Sequence, residues 1–320
     1  MSTTVVVTDR VSEEGLEPLT SDPRFTVVRV DDSTSGEFWD AIASCEGLIV
    51  RSATNVDDEM LDRAPTLRAV GRAGVGVDNI DLPSATRRGV AVLNAPGGNT
   101  TAAAELTMAL VLSMVRNVAA ADRSIREGRW DRSSLVGSEL KGKTLGLIGA
   151  GRIGGEVAMR CQAFGMDVVA YDPYLTESRA AELGIALVDL EDVISRADVV
   201  SIHVPLNDET RNLVDSRVLD RMKPSSFLVN ASRGGVIDEE ALAAALKGSH
   251  IAGAALDVFE HEPLPADSPL RSAPNLVMTP HLGASTAEAQ VAVAAEVAEG
   301  MRLVLGSGDN SSAINADQLD

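Results

Sequence analysis

Thr144-Leu-Gly-Leu-Ile-Gly149-Ala-Gly151-Arg152-Ile153-Gly154 carries glycines at GxGxxG spacing, and Asp167-Val-Val-Ala-Tyr-Asp172 follows one helix-length later. Residues 144–148 read as a buried strand and the glycines as the turn out of it. Residues 152–164 read as an amphipathic helix and 167–171 as a second strand ending on Asp172. GxGxxG alone is weak, but strand, turn, helix, strand and acid together point to a dinucleotide-binding βαβ unit. Gly149 allows the tight turn, Gly151 lets the backbone approach a pyrophosphate, and Gly154 lets helix pack close to strand. The helix N-terminus at Arg152 and Ile153 offers N–H groups and a partial positive charge to phosphates. Asp172 can accept hydrogen bonds from ribose hydroxyls and would repel a 2′-phosphate, which favours NAD over NADP.

The same alternation continues in both directions. Upstream, residues 4–8, 25–30, 47–51, 67–70 and 90–93 read as strands separated by helical stretches. Downstream, residues 197–203, 227–230, 253–256 and 276–279 read as strands, with helices near 177–183, 190–195, 215–221 and 239–247. Strands separated by helices predict an α/β fold with parallel sheets. The turn-rich Asn94-Ala-Pro-Gly-Gly-Asn-Thr divides the two series, and one long apolar helix is expected after it, over residues 101–127. A last helix, 285–304, has no strand after it. Its simplest packing is back onto the first series, so the chain crosses twice between two domains. The polar tail, 306–320, is expected to be partly disordered.

The 320 residues are 45% apolar and 23% charged, a globular balance with length for two domains. Aromatics are only 3%, so the cores must be built from Ala, Val, Leu and Ile. A net charge of −19 disfavours nucleic-acid and membrane-surface partners. Among 28 basic residues only Lys141, Lys143, Lys223 and Lys247 are lysines. That bias fits either a high-salt host or a GC-rich genome. Cys45 and Cys161 give neither a disulfide framework nor metal-ligand spacing, so no metal is expected. The N-terminus lacks a leader pattern and no apolar run reaches the roughly 18 residues of a bilayer span, which makes a cytoplasmic protein the expectation.

Hydride exchange between an alcohol and a nicotinamide needs a base at the hydroxyl and a cation for a carboxylate or carbonyl. Of four histidines, His281 and His203 follow strands, where open α/β sheets place ligands. Position favours His281, because Val204-Pro205 after His203 reads as a cofactor-lining turn. His250 and His261 read as surface residues. Arg233 follows another strand, and Glu262 could hold an imidazole. Either could equally be an ordinary surface charge, and spacing alone does not bring the three together. Gly74-Val75-Gly76 lacks a third glycine and reads as a turn lining a ligand site.

At these residues the chain resembles the D-isomer-specific 2-hydroxyacid dehydrogenase family. The shared signatures are GLIGAGRIG at 146–154, NASRGGVIDEEAL at 230–242, ALDVFEHEPL at 255–264 and PHLGAST at 280–286. The resemblance runs from Ile49 to about Gln290. It implies two doubly wound parallel-sheet domains with two crossovers: a flavodoxin-like substrate domain, residues 1–97 and 286–320, and a Rossmann NAD-binding domain, residues 98–285. It implies that His281, Glu262 and Arg233 are catalytic, with His281 the base, Glu262 its support and Arg233 the carboxylate ligand. Cofactor contacts would extend to Val75, His203, Val204, Pro205, Ala231, Ser232, Asp257, Gly283 and Ala284. Substrate contacts would come from Arg51, Ser52, Arg72, Gly74, Val75 and Gly76, the two arginines suiting a phosphorylated 2-hydroxy acid. A homodimer or tetramer built through the helix near Thr101 is also implied. Larger members carry a C-terminal regulatory domain, and regulation by that route is not expected of a sequence stopping at Asp320. Two alternatives stay open: a glyoxylate, hydroxypyruvate or other D-2-hydroxyacid reductase, and a non-catalytic NAD-sensing scaffold.

Overall fold

Short runs of Val, Ile, Leu and Ala, apolar on both faces, suit parallel strands covered by helices on each side. The computed structural model describes residues 2–319. In it β1 (Thr3–Val7), β2 (Phe25–Arg29), β3 (Gly47–Val50), β4 (Ala69–Arg72) and β5 (Ala91–Leu93) form one sheet, ordered β2-β1-β3-β4-β5. The second sheet holds β6 (Thr144–Ile148), β7 (Asp167–Tyr171), β8 (Ala186–Leu187), β9 (Val199–Ile202), β10 (Phe227–Asn230), β11 (Gly253–Leu256) and β12 (Leu276–Met278). Its order is β12-β11-β10-β9-β6-β7-β8. All pairings are parallel. The first order is flavodoxin-like and the second is the doubly wound Rossmann order extended by one strand. The chain divides into unit 1, residues 1–99 with 284–320, and unit 2, residues 100–283. These limits lie two residues from the expected ones at both crossings.

In unit 1, the helix Ala287–Ser307 lays Val293, Val297, Met301 and Val304 on one face of the sheet. The contact is close: a Cβ on Gly71 would stand 2.3 Å from Val297 Cγ1. Phe38, Ile42, Met60 and Leu61 cover the other face. In unit 2, Met108, Val111 and Met114 from helix Thr100–Val115 join Val157 and Cys161 on one face, and Ile194, Leu219, Leu242 and Leu246 pack on the other. Both cysteines are buried and unpaired, and burial pushes their thiols up to about 12. Among the described residues no single helix is long and apolar enough to cross a membrane.

Two expectations need correction. The helix expected over 101–127 is broken into Thr100–Val115 and Val118–Arg126, which meet at 63°. The break falls at Asn117, which adopts φ 54, a left-handed conformation that asparagine tolerates. It lets Ser138 donate to the Val115 carbonyl at 2.8 Å, and Gly137 packs so close that a Cβ would stand 2.5 Å from that oxygen. The tail is not disordered up to Leu319, and Asp320 lies outside the described residues. Asn315, 1% exposed, accepts from Val92 N–H at 3.0 Å and donates to Val90 O and Thr86 Oγ1. Ile314 N–H donates to Val92 O at 2.8 Å. The tail thus covers the open edge of β5, which would otherwise expose unpaired backbone. The strand β8, with only two residues, was not legible at all.

Replacing Asn315 by Leu leaves the buried Val92 N–H without its acceptor, a cost of about 1–3 kcal/mol. Urea unfolding should show a lowered midpoint for the transition of unit 1, with the transition of unit 2 unchanged.

Candidate active site

In unit 2 the strand order reverses between β6 and β9, and the chain leaves both strands at the same edge. Gly149 follows β6 with φ 89, and a Cβ there would stand 2.7 Å from His203 O and 2.9 Å from Val204 Cγ1. Gly154 packs so that a Cβ would meet Gly149 O at 2.4 Å. The turn itself therefore demands these two glycines. Gly151 differs, because a Cβ there would meet no protein atom within 4 Å. Nothing in the chain needs glycine at 151, and its bare backbone leaves room there for the close approach of a ligand. Gly151 caps the helix Arg152–Ala163 without a side-chain bond, so Arg152 and Ile153 present backbone N–H groups at its start. This cradle fits a pyrophosphate.

Asp172 ends β7 as the sequence implied, but it also braces the glycine turn. Its Oδ2 accepts from Ala150 N–H at 2.8 Å, and its Oδ1 from Tyr174 and Leu175 N–H at 2.9 and 3.2 Å. A carboxylate has about four acceptor positions, so capacity remains for a ribose hydroxyl. His203 sits against the same turn and shares a 2.8 Å hydrogen bond with Ser201 Oγ. Burial lowers its pKa to about 4. It is neutral near pH 7 and unsuited to cycling a proton there.

His281 is placed quite differently. It follows β12 with φ 54, an uncommon conformation for a non-glycine residue. Its N–H donates to Asp257 O at 2.8 Å and Thr279 O at 3.1 Å. The carboxylate of Asp257, 0% exposed, accepts from Thr279 Oγ1 at 2.6 Å, Leu282 N–H at 2.7 Å and Gly283 N–H at 2.9 Å. Burial raises the Asp257 pKa against those donors. The resemblance implies a cofactor contact for Asp257; in the structure its oxygens hold residues 279–283 around His281. Gly283 also lies near Ala231, and Ala284 begins the return to unit 1.

The His281 Nδ1 lies 2.7 Å from Glu262 Oε2, with the two side chains 43% and 36% exposed. Glu262 Oε1 accepts from Phe259 N–H at 3.0 Å. Burial works to raise the Glu262 pKa, but the hydrogen bonds from His281 and Phe259 and the charges of His281 and Arg233 outweigh it and lower it. Glu262 is therefore a carboxylate near neutrality, and the bond requires the His281 proton on Nδ1. The influence of Arg233 on Glu262 puts all three residues in one electrostatic neighbourhood.

Two residues that the sequence did not single out make this possible. Buried Asn230 donates to Arg233 O at 2.8 Å and accepts from Ser232 N–H and Oγ at 3.0 and 2.8 Å, shaping the turn after β10. Gly234 meets the neighbouring loop so closely that a Cβ would stand 1.9 Å from Phe259 O. The Asn at the strand end and the Gly-Gly pair after Arg233 were the visible signals. His250 and His261 are exposed, His250 beside Asp220 at 3.1 Å.

In unit 1, Arg51 and Arg72 stand at the ends of adjacent strands, Val50 being the register partner of Arg72. Gly74 O accepts from Ala95 N–H and Val75 O from Asn94 Nδ2, which fixes the Gly74-Val75-Gly76 turn. Ser52 is exposed in the neighbouring loop.

The model of the family "D-isomer specific 2-hydroxyacid dehydrogenase, NAD binding domain" matches residues 108–283. A D-3-phosphoglycerate dehydrogenase of Synechocystis is 44% identical over 318 residues, 98% of this chain and 56% of its own. The chain thus spans a little over half the length of the curated relatives it matches. The TT0316 protein of Thermus thermophilus superposes with a TM-score of 0.88 at 36% identity, over 98% of this chain and 100% of that one. An NAD-dependent formate dehydrogenase from Staphylococcus aureus, solved with NAD, superposes with a TM-score of 0.83 at 29% identity, over 96% and 97%. NAD is accordingly the cofactor, and the cradle at Gly149–Gly154 with Asp172 fits it.

The lowered pKa of His203 has a measurable consequence. Between its ordinary value of 6.5 and its folded value of about 4, the unfolded chain binds a proton that the folded chain resists. Its stability contribution is present above pH 6.5 and lost as pH falls toward 4, by about 3 kcal/mol. Urea unfolding from pH 7 to pH 4 should show this loss in the wild type and a smaller one in His203→Gln.

Proposed function

The chain belongs to the D-isomer specific 2-hydroxyacid dehydrogenase family, and from that premise we propose that it oxidises D-3-phosphoglycerate to 3-phosphohydroxypyruvate with NAD, as an enzyme of serine biosynthesis. The observation that carries the chemistry is the 2.7 Å pairing of His281 Nδ1 with Glu262 beside Arg233. With the proton of neutral His281 on Nδ1, Nε2 is the basic nitrogen. It takes the proton of the C2 hydroxyl as hydride leaves C2. NAD, when bound, receives that hydride. Glu262 stabilises the imidazolium as it forms, by its charge and its hydrogen bond to Nδ1. Arg233 holds the substrate carboxylate and polarises the reacting oxygen through charge-assisted hydrogen bonds. In the reverse direction His281 returns the proton to the 2-oxo oxygen.

Arg51 and Arg72 are the residues of unit 1 we assign to the phosphate. Guanidinium groups match a phosphate dianion in charge and donor geometry. Val75 and Gly76 belong to the same reading as backbone donors to substrate. The protein is read as a cytoplasmic homodimer. Exposed Val118, Ile125, Trp130 and Val136 on the helix and loop after Asn117 support a covered apolar surface there. The high acidity is read as tolerance of salt.

NADH consumption tests the reading with phosphohydroxypyruvate, hydroxypyruvate, glyoxylate and 2-oxoglutarate, at low and high KCl, with NADPH as control. Phosphohydroxypyruvate with NADH should give the highest kcat/KM, and activity should persist at high KCl. Equal turnover of glyoxylate would favour a general 2-oxoacid reductase. His281→Asn should lower kcat by about 10²–10⁴ with NADH affinity retained. Unchanged turnover would favour a binding scaffold.

A further inference from the structure

The C-terminal edge of the first sheet holds a hydrogen-bonded frame whose centre is a neutral side chain without a role so far. Asn79, in the turn after β4, accepts from Arg72 Nε at 2.9 Å through Oδ1. Its Nδ2 donates to the carbonyls of Arg51 at 2.7 Å and Thr54 at 2.5 Å. One amide thus ties the end of β4 to the loop leaving β3. The same loop is held from β1: Asp9 Oδ2 accepts from Arg51 N–H at 2.7 Å and Thr54 N–H at 3.3 Å, and Oδ1 from Thr54 Oγ1 at 2.8 Å. The guanidinium of Arg72 also lies against Gly74, where a Cβ would stand 2.5 Å from Nη1. Asn79 and Gly74 therefore set the direction of that guanidinium.

We propose that Asn79 determines specificity for a phosphorylated substrate, by holding Arg72 Nε and the Arg51 loop so that the Arg72 guanidinium is already oriented for a phosphate. The proposal rests on the phosphate role given to Arg72 above. A guanidinium recognises phosphate through N–H groups in a fixed fork, so its plane matters as much as its charge. A long side chain ordered only on binding loses rotamer entropy at each encounter, and one held beforehand does not. Asparagine is suited to the position because it accepts from Nε while donating to two carbonyls, which aspartate cannot do.

The experiment compares the wild type with Asn79→Ala, Asn79→Asp and Arg72→Ala, using kcat/KM for phosphohydroxypyruvate and glyoxylate. Asn79→Ala should lower the preference for the phosphorylated substrate about tenfold, chiefly through KM. Asn79→Asp is isosteric and remains testable if the alanine variant fails to fold. It should lower the preference further, because a carboxylate beside the guanidinium opposes a dianion. If Arg72→Ala lowers the preference while neither Asn79 variant does, the role of Asn79 is overturned. Equal losses on both substrates in the Asn79 variants overturn it as well. If Arg72→Ala itself treats the two substrates alike, the phosphate reading falls and the proposal with it.

Discussion

All seven strands of unit 2 run the same way, and this single direction organises the candidate active site. Every segment leaving a strand's C-terminal end emerges along one edge of the sheet. The glycine turn after β6, Asp172 after β7, His203 after β9, Arg233 after β10, Asp257 after β11 and His281 after β12 come from six such exits. An antiparallel sheet would send half of them to the opposite edge. Local details then refine what direction provides. The missing Cβ of Gly234 lets one loop meet another, and the buried carboxylate of Asp257 holds the backbone of 279–283 in place.

The environment divides the labour between two histidines of the same sheet edge. Desolvation keeps the imidazole of His203 neutral, with Ser201 as its partner. His281 is half-exposed and has an ionised carboxylate at hydrogen-bond distance. One ring is thereby suited to lining and the other to exchanging protons. The acidic surface does not supply this difference, since exposed charges are screened within about 10 Å at ordinary salt. Contacts with near neighbours supply it.

What the sequence made legible follows physical range. The alternation of apolar runs and helical stretches revealed both parallel sheets, because burial on two faces leaves a continuous apolar signature. The glycine turn and Asp172 were legible because the βαβ unit is nearly self-contained in sequence. His281 was favoured over His203 by position, and the difference in their burial gives a physical reason for that order. The break at Asn117 was not legible, because a segment some twenty residues further along stabilises it through the Val115 carbonyl. Asn315 looked like part of a polar tail, since its partners on β5 lie more than two hundred residues away. The bracing role of Asp257 was not legible either, because the donors to its carboxylate lie more than twenty residues further along, at Thr279, Leu282 and Gly283.

The packing of helix Ala287–Ser307 on the first sheet has a consequence for how the chain is made. While the polypeptide emerges from the ribosome, residues 1–99 lack the element that covers one face of β1, β3 and β4. That apolar face stays uncovered until residues 287–307 have been translated, whereas residues 100–283 are complete sooner. The nascent first unit therefore exposes apolar surface that chaperones can shield, and the helix that closes its core is made only after the second unit is complete.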